Sequence, residues 1–151
     1  MAVKVAGSLE GMSDAIVQQW IERIERETIA ELTERIETVY SDARDNWPQP
    51  GQPGYDSSRS PAASRWEGKR PFVRRRTEES SRDGLRREVT MDGDVPVARV
   101  WNDVSYAKFV KANSLGGRSA FVVLLRTPMR ALGRKMARSL EKRITKALND
   151  G

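Results

Sequence analysis

Apolar side chains recur at helical spacing from residue 14 to residue 45, and this repeat constrains the chain more than any other feature. Ile16, Trp20, Ile24, Leu32, Ile36 and Tyr40 fall four or eight residues apart, with Val17, Ile21, Ile29, Val39 and Ala43 beside them. That is one stripe at a period of 3.6, so the spacing predicts a single long helix. Ser13 is placed to cap it, and Asp14 puts negative charge in the first turn. Glu22 with Arg26, and Glu31 with Arg35, stand at i,i+4 on the polar side. Pro48 disfavours helix at Trp47, so the helix should end near Asn46. Its length would be about 48 Å, against about 30 Å for the diameter of a small domain. Either the helix bends around its own core, or part of its stripe faces another subunit.

Residues 48–82 have a different chemistry. Pro48, Pro50, Gly51, Pro53, Gly54, Ser57, Ser58, Ser60 and Pro61 are turn and loop formers. Arg70, Arg74, Arg75 and Arg76 follow, with Trp66 and Phe72 interleaved. A connection this long without structure of its own is uncommon and tends to be functional or disordered. We read 48–82 as an inserted arm. Its arginines can neutralise phosphates without reading sequence, and Trp66 and Phe72 can stack on bases. The same residues suit an acidic surface on a partner protein, or plain solvation.

Beyond the arm the period changes to that of strands. Residues 85–90 lead into Asp92-Gly93, a tight-turn signal, and Val95, Val97, Arg99 and Trp101 then alternate with their neighbours. Together these predict a hairpin, with Pro96 at a sheet edge or bulge. Tyr106, Phe109 and Val110 predict a short helical turn packed on the sheet, and Asn113 to Arg118 a loop. Ser119 to Arg126 reads as an apolar strand central in the sheet. Thr127 then caps a second helix with Pro128 in its first position. Met129, Leu132, Met136, Leu140, Ile144 and Leu148 form its apolar stripe, and most other positions are basic. The expected fold is a single α+β domain spanning residues 1–151: a long N-terminal helix, a small antiparallel sheet, a basic C-terminal helix and the inserted arm.

Composition narrows the chemistry. The chain of 151 residues contains no cysteine and no histidine, so disulfides, thiol nucleophiles and imidazole acid–base catalysis are excluded. The aspartates around the hairpin, Asp92, Asp94 and Asp103, are the remaining candidates for paired carboxylates, and turn aspartates are ordinary structure. Leu115-Gly116-Gly117-Arg118 lacks the spacing and the Lys-Ser/Thr of a phosphate loop. We therefore expect no enzymatic activity, no cofactor and no metal. Met1 to Glu10 lacks the apolar stretch of a signal peptide, and the longest apolar run, Ala120 to Leu125, is too short to cross a bilayer. Charge is distributed unevenly. Residues 1–47 carry a net −5, residues 48–107 a net +2 and residues 108–151 a net +9. Opposite faces could meet between subunits, the basic face could meet nucleic acid, or both could be solvated.

Two stretches carry a family resemblance. Ser80-Ser81-Arg82-Asp83-Gly84-Leu85-Arg86-Arg87-Glu88-Val89 is one, and Val100-Trp101-Asn102-Asp103-Val104-Ser105-Tyr106-Ala107-Lys108-Phe109-Val110 is the other. They resemble the minor tail protein Z family of lambda-like phages and its neck and tail-completion relatives. The matching positions in the second stretch are Asn102, which ends a strand, and Tyr106, Ala107, Phe109 and Val110 in the turn after it. Trp47-Pro48 after a long helix is similar to the family's Trp-Pro junction. The chain departs from the pattern in about 30 additional residues before the Ser-Arg-Asp-Gly segment, and in Lys111-Ala112-Asn113, where relatives often carry an acidic residue.

The resemblance implies a structural virion protein of the phage neck or tail-completion apparatus, assembling as a ring at the head–tail junction. It implies no enzymatic activity and no cofactor. Its implied partners are further copies of itself and other neck and tail proteins, with assembly in the host cytoplasm. A cyclic ring needs two different complementary faces on each subunit, which the charge split would supply. The alternative is a non-enzymatic nucleic-acid-binding protein using the Arg-rich arm and the basic C-terminal helix, so non-specific DNA contact is a further expectation. No membrane partner is expected.

Overall fold

The computed structural model describes residues 13–57 and 81–149. Its first element is helix α1, Asp14–Asn46, 33 residues and about 50 Å long. Ser13 has extended backbone at the N-cap and accepts from the Ile16 N–H through its Oγ. At the other end Trp47 leaves the helical region, as the proline after it requires. On the polar side Glu31 pairs with Arg35, as the spacing predicts. Glu22 instead accepts from Gln18, and Arg23 pairs with Glu27.

Strands β1, Leu85–Asp92, and β2, Val95–Asn102, form an antiparallel hairpin in which Leu85 lies opposite Asn102 and Asp92 opposite Val95. Only Gly93 in its turn has positive φ, +61°. The turn residues are thus Gly93-Asp94, with glycine first, as a II′ turn requires, and not the Asp92-Gly93 pair of the I′ type. Among the described residues both strands are sheet edges, so Pro96 is tolerated. A two-stranded hairpin is marginal alone. Here it is held against α1: Arg87 pairs with Glu37 and stacks over the Tyr40 ring, 4.0 Å from its centre.

One expected element is overturned. Residues 119–126 do not form a central strand, and among the described residues the sheet has two strands. The chain becomes helical at Ala120, and Phe121–Arg126 is π-helical. It runs without a break into α2, Thr127–Asn149. Thr127 is therefore not a cap, nor Pro128 a first helical residue. The Thr127 N–H bonds to the carbonyl of Val122, five residues back. The cause lies in Pro128, which has no N–H for the Leu124 carbonyl and whose ring would crowd it. Widening the turn ahead of the proline relieves both problems. A short apolar run is compatible with a strand or a buried helical segment, and its periodicity cannot separate them. The buried residues, Ala120 and Leu125, lie five apart, on the same side of a π turn.

Core packing is concentrated at the C-terminal end of α1. Ala43, Trp47, Leu85, Tyr106, Ala107, Val110, Leu115, Ala120 and Leu125 form one buried cluster. Away from it, α1 and α2 run antiparallel and cover one another, with Leu32 and Leu132 buried. The stripe of α1 nearer its N-terminus is less covered, and Ile16 and Ile21 are each 45% exposed.

Candidate functional site

The resemblance-bearing segments meet at one buried point. Trp47, at the end of α1, is 1% exposed, and its Nε1–H donates to the Ser81 Oγ at 2.7 Å. Ser81 is fully buried and opens a 3-10 turn, Ser81–Gly84. Asn102 donates its Nδ2 to the Ser81 carbonyl at 2.7 Å and accepts from the Val104 N–H at 2.9 Å. The Asp103 N–H donates to the Gly84 carbonyl. Tyr106, Ala107 and Val110 are buried beside Trp47 and Leu85, and Phe109 packs against that cluster. Asn102 thus stitches the two segments together, while Tyr106, Ala107, Phe109 and Val110 supply apolar surface.

Gly84 makes this approach possible. A Cβ there would lie 2.5 Å from the Asn102 Oδ1 and 2.6 Å from the Val104 Cγ2. Gly84→Ala should therefore destabilise the fold by about 1–3 kcal/mol, the range for overpacking a tight site. Urea unfolding followed by circular dichroism measures it, and an unchanged midpoint would contradict this account.

The same point closes the base of the arm. Residues 48–57 are not free loop: Pro48 and Ser57 are buried, and Asp56 exchanges backbone hydrogen bonds with Lys111. The arm's start and its last residues, 81 and 82, belong to the folded body, so the segment 48–82 is anchored at both ends. Trp66, Arg70, Phe72, Arg74, Arg75 and Arg76 lie outside the described residues.

The hairpin carboxylates do not form one site. Asp103 lies at the base of the hairpin, where it accepts from the Trp101 Nε1–H at 2.7 Å and pairs with Arg86 at 3.1 Å. Asp94 lies in the turn at the far tip with Asp92 just before it, eight strand residues away, or about 27 Å. Among the described residues no group of three or more His, Cys, Asp or Glu side chains could hold a metal ion. No helix among them is long and apolar enough to cross a membrane.

Charge on the two helices is organised by Glu31. This largely buried carboxylate accepts from Arg35 at 2.8 Å, from the Ser139 hydroxyl at 2.7 Å, and from Arg143. The Ser139 hydrogen bond does most to hold its pKa below the ordinary carboxylate value, and the two arginines add to it against the opposing effect of burial. Part of the attraction between the acidic first helix and the basic last one is therefore used within the chain. Local spacing marked Glu31 only as the partner of Arg35, and Ser81 only as part of a resemblance segment, with no sign of what either meets across the fold. Their partners are 34 residues away and more than 100 residues away.

No family model matches the chain, and neither a curated protein nor a solved structure matches it significantly.

Proposed function

We propose that this chain is a structural virion protein of the phage neck or tail-completion apparatus, assembling as a ring at the head–tail junction and without enzymatic activity. The observation that carries the reading is the buried meeting point of Trp47, Ser81, Gly84, Asn102 and Tyr106. The short motifs behind the resemblance are separated by long stretches of sequence, yet they are the residues that close one core. Motifs that determine a core are what a shared fold would retain. A long α1 with exposed Ile16 and Ile21 offers apolar surface for a neighbouring subunit. The lack of any histidine or cysteine, and the separation of the hairpin carboxylates, favour a role in assembly over catalysis. Light scattering coupled to size-exclusion chromatography, on the full chain alone and mixed with purified tails, tests the reading. Closed oligomers, formed alone or on the tail, are the expected result. A monomer at every concentration that never co-purifies with tails would overturn it.

A further inference from the structure

We infer that the outward face of α2 is a sequence-independent binding surface for the phosphate backbone of double-stranded nucleic acid. Arg130, Arg134, Arg138, Lys142 and Lys146 stand at successive i,i+4 positions, and Lys135 lies beside them. All six are exposed. The row extends about 24 Å along the helix and turns about 40° at each four-residue step. It is centred opposite the apolar stripe that packs on α1. Glu141 is the only acidic residue in α2.

The contrast with the other cations is informative. Arg23, Arg35, Arg86, Arg87 and Arg143 each pair with a carboxylate, and Arg143 is the α2 cation turned toward α1. None of the six outward cations enters an ion pair among the described residues. Four consecutive like-charge i,i+4 pairs oppose helix formation. An arrangement that breaks a local rule with no compensating ion pair among the described residues points to a partner that supplies it.

That partner must present a dense, continuous row of anions. Duplex DNA does so, with one charge per about 1.7 Å of axis. Arginine in three of the five row positions suits bidentate contact with phosphate. A second copy of the chain fits less well. Asp14, Glu22, Glu25, Glu34, Asp42 and Asp45 are spread around α1 and form no matching row, while Glu27, Glu31 and Glu37 are already held by arginines. A membrane surface also fits less well, because the apolar face of α2 is turned to α1 and is not free to enter lipid.

Fluorescence anisotropy with the full chain and a labelled 20-base-pair duplex of arbitrary sequence tests the inference. The triple variant Arg134→Gln, Arg138→Gln, Lys142→Gln should weaken binding about tenfold or more at 100 mM salt and lower the salt slope by about 2.7. Circular dichroism checks that the variant remains folded. Glu141→Gln should tighten binding. Replacing Arg74, Arg75 and Arg76 with alanine should leave most of the α2 contribution in place. A folded triple variant with wild-type affinity and slope would overturn the inference, as would absence of duplex binding by the wild type at 100 mM salt. If the triple variant loses only self-association in sedimentation experiments, the face belongs to a second copy and the inference is wrong. The surface does not depend on ring assembly: a monomer that binds duplex through α2 would remove the ring and leave this face standing.

Discussion

Trp47→Ala should cost about 3–5 kcal/mol of folding stability, the range for truncating a large buried aromatic. Trp47 is nearly inaccessible and sits where α1, the 3-10 turn and the Tyr106 turn converge, so little around it can collapse into the gap. The hydrogen bond can be separated from the packing. Trp47→Phe keeps most of the apolar surface and removes the donor to Ser81, which should cost about 1–3 kcal/mol. Ser81→Ala leaves the indole N–H unsatisfied and should cost a similar amount. The double variant should cost less than the two single ones together, because neither polar group is then left without its partner. Urea unfolding of all four proteins gives the cycle. Simple additivity would mean that the bond contributes nothing beyond packing.

Glu31→Gln should destabilise the protein by about 1–3 kcal/mol at neutral pH. The Glu31 side chain is 14% accessible and that of Arg143 27%, so neither charge is sealed from water and the loss should fall below that of a fully buried pair. The variant leaves Arg143 facing an amide. The effect must also depend on pH. The folded carboxyl is held below its ordinary value of 4.5, chiefly by the Ser139 hydrogen bond. A depressed carboxylate contributes its stability in full above the ordinary value and loses it as pH falls through the folded value. The gap between wild type and variant should therefore be largest at pH 7 and shrink below about pH 4.5. Equal urea midpoints at pH 7, or a gap that widens in acid, would refute the role given to Glu31.

The limits of the sequence show most clearly at residues 119–126. Six apolar residues in a row satisfy a buried strand and a buried helical turn equally, and the deciding feature is Pro128, which acts on the turn before it. The hairpin was legible because its signals are local: alternation along the second strand and a glycine in the turn. The six arm residues named from the sequence lie outside the described structure, whereas Asn102, Tyr106, Ala107, Phe109 and Val110 all fall at the buried meeting point. The cations of α2 were legible as a basic helix. Which of them remain unpaired depended on where Glu31 falls once the helices pack.

The amino-acid sequence by itself determined the elements governed by neighbours. Ser13 and Pro48 bound α1, period 3.6 runs between them, and Gly93 turns the hairpin. It also excluded imidazole and thiol chemistry outright. Tertiary structure decided the rest. It joined Trp47 to Ser81 and Asn102, carried the chain from Ala120 into α2 as one helix, and set Glu31 against Ser139 and Arg143. The physical reason is separation along the chain. Caps, turns and periodicity act over a few residues, whereas a buried hydrogen bond or ion pair depends on which distant segment arrives to complete it.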